Sequence, residues 1–151
     1  MDSNILVYAL DRTDRRKHEI AARVMKSAPV LDCVVPVQVL AEFLNVVRRK
    51  HRSYFEQARA QAERWNDILT TLTTSSDHVL EGAKLAERHN LQLWDSIICR
   101  VAQSAHAALF LSEDLQDGLV IDGMRVMNPL EPANEVEVRQ LLTSADDEIK
   151  W

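Results

Sequence analysis

The sequence predicts an α/β fold with a mostly parallel sheet, and three observations carry this. Short apolar runs, such as 30–35 and 108–111, alternate with segments whose apolar residues recur at helical spacing. No internal repeat or low-complexity linker divides the 151 residues, a length that suits one domain with a substantial core. With 46% hydrophobic and 27% charged residues, the composition is that of a globular chain rather than a disordered one.

The elements follow in order. Residues 5–10 are an apolar run too short for periodicity to separate helix from strand. Residues 11–17 (DRTDRRK) read as a charged turn. A helix over 18–27 places Ile20, Ala21, Val24 and Met25 on one face, and Pro29 ends it. Residues 30–35 (VLDCVV) read as a buried strand. Pro36 then opens a helix over 37–50 with Val39, Leu40, Phe43, Leu44 and Val47 as its apolar stripe. A second, mostly polar helix covers 54–68, and 69–74 (LTTLTT) reads as an inner-layer strand. Ser75, Ser76 and Asp77 are N-cap residues for a helix over 78–89, stopped at Asn90. Another helix runs from Asp95 to about His106, followed by a buried strand at 108–111 and a single last strand over 120–127. Residues 131–151 are acidic and read as a peripheral helix or tail beyond a domain at 1–130.

Composition closes several routes. The three glycines, Gly82, Gly118 and Gly123, cannot build a dinucleotide fingerprint. Gly118 and Gly123 have the gap of a phosphate-binding loop, but Met124 stands where its Lys belongs. Cys33 and Cys99 read as small core residues in a reducing compartment. The histidines at 18, 51, 78, 89 and 106 have no zinc-site spacing. No run approaches the ~18 apolar residues of a membrane span, and the first residues lack the basic-then-apolar pattern of a signal peptide. The expected location is the cytoplasm, with no membrane partner. A net charge of −5 argues against coating nucleic acid by bulk charge, while leaving room for a local basic groove.

Ligands of a parallel sheet bind outside the carboxyl ends of its strands. Four acids fall there: Asp2 before the first apolar run, Glu42 early in the helix after 30–35, Asp95 after Leu93-Trp94, and Asp114 after the strand 108–111. Singly, Asp2 is a terminal residue, Glu42 a solvated helix residue, Asp95 an N-cap and Asp114 a turn residue. Jointly they repel, by roughly 3 kcal/mol for a pair ~5 Å apart at an effective dielectric of 20. Such a group protonates or binds a hard cation, and oxygen-only ligands select Mg²⁺ or Mn²⁺ over zinc.

Those residues resemble a known family. DSNILVYA (2–9), VPVQVLAEF (35–43), LWDSII (93–98) and LSEDLQDG (111–118) are similar, in order and spacing, to PIN-domain ribonucleases, most closely the VapC-type toxins; IDGMRVMNP (121–129) is similar to the family's last strand. The resemblance covers about 1–130. It implies a three-layer α/β/α sandwich and a metal-dependent endoribonuclease that leaves 5′-phosphate and 3′-hydroxyl ends. Position by position it implies Asp2, Glu42, Asp95 and Asp114 as the acidic catalytic quartet. Asp2, Asp95 and Asp114 are then the Mg²⁺ ligands (Mn²⁺ as the alternative), Asn4 and Ser112 supporting polar residues, and Asp117 an auxiliary acid. A small antitoxin partner and a homodimer are implied with it.

Family members place four or five apolar residues before the first Asp, as the central strand; here only Met1 precedes Asp2. The expectation is a truncated first central strand, with the native start upstream, or else lowered stability and a metal ligand on a fraying terminus. Two basic clusters, 15–17 and 48–52, are candidates to hold RNA, although the second sits where cations favour a helix C-terminus anyway. Arg49, on the stripe of Gln38, Glu42 and Asn45, is the member placed to reach phosphate. Trp94 reads as a packing residue. A PIN-fold RNA- or protein-binding module without catalysis is the alternative function. A receiver domain lacks its paired acids and Lys, and a haloacid-dehalogenase phosphatase lacks its second Asp.

Overall fold

A computed structural model describes residues 1–148. The first helix, α1 (Ser3–Leu10), settles the ambiguous apolar run. Asp2 decides it: its Oδ1 accepts the backbone N–H of Asn4 (3.1 Å) and of Ile5 (3.4 Å), satisfying two orphan donors of the first turn. Ile5, Leu6 and Val7 are then buried. Helix α2 (Arg15–Ser27) starts three residues before the expected 18, because Asp14 caps it by accepting from the Lys17 N–H at 3.0 Å.

Strand β1 is only Val34–Pro36. The expected strand from 30 is shortened by turns: Leu31 N–H donates to the Ser27 carbonyl, Cys33 N–H to the Ala28 carbonyl, and Asp32 sits at φ +50°. Helix α3 (Val37–Lys50) has the expected bounds and buries Val39, Leu40, Phe43 and Val47. A short 3-10 turn at Arg52–Tyr54 leads into α4 (Phe55–Ile68), which buries Ala58, Ala62 and Trp65. Phe43 and Trp65 meet edge to face, with ring centroids 5.2 Å apart. Strand β2 (Thr70–Leu72) pairs parallel with β1. Among the described residues β1 is its one partner, so it stands at an edge of the sheet.

Helix α5 (Ser76–His89) starts in a capping box between Ser75 and His78 and ends on Asn90 in the left-handed region. Helix α6 (Leu93–Ser104) begins two residues before Asp95, so Asp95 lies within its first turn instead of opening it. Strand β3 (Leu109–Leu111) runs parallel to β5 (Met124–Met127). The single last strand expected over 120–127 is instead a hairpin, with β4 (Val120–Ile121) antiparallel to β5. Asp122 (φ +47°) and Gly123 (φ +90°) form its two-residue turn, a signal present in the sequence as Asp-Gly. Helix α7 (Glu135–Glu148) buries Val138, Leu142 and Ala145 and packs on α2. Residues 149–151 of the expected extension lie outside the described residues.

The whole is a helix-rich α/β/α sandwich around a parallel sheet. Helix α1 packs on α2 and α3, and α3 on α4; α5 and α6 pack on each other, and α6 touches β1. Among the described residues, the sheet is in two pieces, β1–β2 and β3–β5–β4. Between them lies the start of the chain. Asp2 N–H donates to the Leu111 carbonyl at the end of β3 (2.9 Å). The buried Met1 ammonium is near enough to the Cys33 thiol, just before β1, to bear on its titration. Asp2 itself is not frayed: it is 6% exposed.

The α5–α6 contact is close because residue 82 has no side chain. A Cβ on Gly82 would stand 2.7 Å from Ile97 Cγ1 and 2.9 Å from its Cα. Gly82→Ala is expected to cost about 1–3 kcal/mol by overpacking. A thermal melt should show it as a loss of about 2–4 °C per kcal/mol. An unchanged melt would mean that α6, which carries Asp95, tolerates displacement.

Candidate active site

The acids arrive from four elements. Asp2 caps α1, Glu42 lies in α3, Asp95 in the first turn of α6, and Asp114 in the loop after β3. Asp2 opens α1 and Asp114 follows β3, whereas Asp95 comes after the α5–α6 turn and Glu42 stands in the second turn of α3. Their convergence is visible at Asp95. Burial pushes its carboxyl up to about 6, and the charges of Asp114, Asp2 and Glu42 push the same way. Asp114, Asp2 and Glu42 are thus each near enough to bear on the Asp95 carboxyl.

Each acid is held. Asp2 is buried, and this raises its pKa against the opposing pull of the Ser112 hydroxyl and the Met1 ammonium. Its second oxygen accepts the Glu113 N–H at 3.2 Å. Glu42, on the border of its helix's apolar face, accepts from Gln38 Nε2 at 2.9 Å, one turn back. Asp114 is exposed and accepts from Asn4 Nδ2 at 2.7 Å. Its carboxyl is also held above the usual range, first by partial loss of hydration, then by the Glu113 charge. Ser112, 1% exposed, caps the loop: its Oγ accepts the N–H of Asp114 (3.1 Å) and of Leu115 (3.3 Å).

Asp117 ties its loop to the segment after β5, its Oδ1 accepting from the Asn128 N–H (2.7 Å) and from Asn134 Nδ2 (2.8 Å). It does not figure among the charges that lift Asp95. Arg49 is exposed in the last turn of α3, ~10 Å of helix from Glu42. In the basic run 15–17, Arg15 pairs with Glu19 and Arg16 donates to the Leu130 carbonyl. Trp94, expected to pack, is 62% exposed beside Asp95; the first turn of α6 turns it outward while Ser96, Ile97 and Ile98 face in.

Sequence reasoning missed one cluster beside Asp114. Tyr8 OH donates to one Glu113 oxygen, and Lys17 Nζ donates to the other (3.0 Å) and to the Tyr8 hydroxyl (3.0 Å). The only sequence signal was Lys17 in its basic run, and that pointed outward.

The donor set suits a divalent cation in chemistry: it is all oxygen and carries surplus negative charge in a partly desolvated place. Among the described residues, however, no three of the His, Cys, Asp and Glu side chains close into a ready metal cage. The arrangement is an acidic cup, which suits an ion that keeps several of its own waters. Among the described residues, no helix is long and apolar enough to cross a membrane.

No curated protein matches this chain. The PIN domain profile matches it over residues 1–116, a span that contains all four acids and both halves of β1–β2. The PIN domain is generally a nuclease fold, usually served by divalent metal ions. By that match, and with the four acids in the order described, the chain belongs to the PIN domain family.

Proposed function

We propose that the protein is a Mg²⁺-dependent endoribonuclease of the VapC type, the toxin of a type II toxin–antitoxin pair, acting in the cytoplasm. The observation that carries the nuclease part is the crowding at Asp95. A carboxyl lifted to about 6, first by burial and then by three neighbouring acids, is tuned for a cation and for proton transfer near neutral pH. The toxin role, an antitoxin partner and a homodimer rest on the sequence resemblance alone.

In this reading Asp2, Asp95 and Asp114 hold Mg²⁺, or Mn²⁺ in its place. The ion, when bound, would polarise the scissile phosphate and lower the pKa of a bound water. The chain's own residues do the rest. Asp2 caps α1 and the loop, its carboxylate held by the N–H groups of Asn4, Ile5 and Glu113 and by the Ser112 hydroxyl. Asn4 and Ser112 fix the Asp114 loop, so that its carboxylate faces the cup without searching rotamers. Glu42, steadied by Gln38, is the acid placed to orient the attacking water or take its proton. The exposed Arg49 offers a phosphate contact further along a bound strand.

The experiment is cleavage of a mixed RNA pool by the purified protein with Mg²⁺, with Mn²⁺ and with EDTA. Cutting with either metal that EDTA abolishes is the expected result. RNA retained without cutting would favour the alternative, a PIN-fold binding module, which the lack of a closed three-acid cage also favours. A companion variant, Glu42→Gln, is expected to lower the cleavage rate by about 10²-fold or more, as loss of a positioned base does. A rate within twofold of the parent would remove Glu42 from the reaction.

A further inference from the structure

The loop that carries Asp114 is tied to the N-terminal helices more firmly than a turn requires. Asn4 and Tyr8 stand one turn apart on α1, hence on one face of it. Asn4 holds the Asp114 carboxylate, and Tyr8 holds that of Glu113, the residue before. Lys17 reaches across from α2, donating to Glu113 and to the Tyr8 hydroxyl while its ammonium lies 4.4 Å from the centre of the Tyr8 ring. Glu113 is only 18% exposed by its side chain, and both its oxygens are engaged. A fifth carboxylate is thus drawn aside and paired there with Tyr8 and Lys17. Lys17 is no surface ion pair of the kind that contributes little: its side chain is 34% exposed, and three interactions converge on it.

We propose that Tyr8 and Lys17 are positioning residues for the nuclease reaction: by holding Glu113 aside they fix the loop that presents Asp114 to the metal. This rests on the nuclease reading above. Both side chains hydrogen-bond to Glu113 and so hold the loop through it, while the Lys17 charge also reaches Asp114. The cost of losing them falls on metal loading and turnover rather than on RNA binding.

The test compares the full chain with Tyr8→Phe, Lys17→Met and Lys17→Arg in Mn²⁺ titrations followed by calorimetry and in RNA cleavage at saturating metal. Tyr8→Phe and Lys17→Met are each expected to weaken Mn²⁺ binding or kcat about tenfold, within the range for residues that orient metal ligands. The KM for RNA should stay within twofold, and Lys17→Arg should restore most of the loss. Two outcomes overturn the proposal. One is a lowered Tm with Mn²⁺ affinity and kcat unchanged, a purely structural tie. The other is a raised KM with the salt dependence of RNA binding reduced by about one phosphate contact, which makes Lys17 an RNA ligand. If the parent binds Mn²⁺ but cuts no RNA, the nuclease reading fails while the Mn²⁺ affinities still judge the tie. If the parent binds no Mn²⁺, both fall.

Discussion

Asp95→Asn is expected to abolish RNA cleavage and, without divalent metal, to make the protein more stable at neutral pH. The two effects have one origin. The Asp95 carboxyl titrates at about 6 in the folded chain, against its ordinary 3.8, because burial and three acids oppose its charge. Between those values the folded state holds the proton more tightly than the unfolded state does. Stability therefore falls as pH rises from about 4 to about 6, and the penalty persists above that window. After discounting for screening of a partly exposed group, it amounts to about 1–2 kcal/mol at pH 7. The amide removes the penalty, raising the metal-free melting temperature by about 2–4 °C per kcal/mol. It also removes a ligand and a charge from the cup, and cleavage should fall by about 10²-fold or more. Mn²⁺ should raise the melting temperature of the parent and leave that of the variant unchanged. A variant that melts lower than its parent in EDTA would show that Asp95 is not held against its will. One that cuts as fast would end its catalytic assignment.

The second large effect concerns the divided sheet. Adding five apolar, β-branched residues before Met1 is expected to raise the melting temperature by about 5–10 °C, from a net gain of about 2–3 kcal/mol. The rung from Asp2 N–H to the Leu111 carbonyl is already in place and fixes the entry point. An extended segment there would meet β3 on one side and β1 on the other, pairing backbone that has no sheet partner now. It would also convert the buried Met1 ammonium into an amide. Burial depresses that ammonium below its ordinary 8.0. The folded state thus sheds its proton more readily, and stability rises with pH up to about 8; the extension should erase this slope. Hydrogen exchange offers a direct check, as the amides of 34–36 and 109–111 should slow together. An unchanged melt with unchanged exchange would mean that β1 and β3 cannot receive a strand between them.

Much of this architecture is legible without coordinates. Helices α3, α4 and α5 have stripes, caps or stop residues strong enough to set their bounds within two residues. Such signals are local: a capping side chain and a 3.6-residue period act over one or two turns. The strands are less legible. Each is two to four residues long in the structure, so neighbouring turns trim them, as the turns of 28–33 trim β1. The Asp-Gly of the β4–β5 hairpin was readable and went unread. Trp94 shows the limit of residue-type reasoning: aromatic rings are buried when the helix phase turns them inward, and here it turns Trp94 out.

The candidate site divides in the same way. The types of Asp2, Glu42, Asp95 and Asp114, and the place of Asp114 just after a strand, were legible in the amino-acid order. Family membership was likewise in the order of the residues. Only the folded chain decided that Asp2 doubles as a helix cap, that Asp117 serves the loops of 128 and 134, and that Tyr8, Lys17 and Glu113 meet beside Asp114. The contacts of Tyr8 and Lys17 with Glu113 join residues about a hundred positions apart. No local rule carries such a pairing, since it depends on how α1, α2 and the loop after β3 pack in three dimensions.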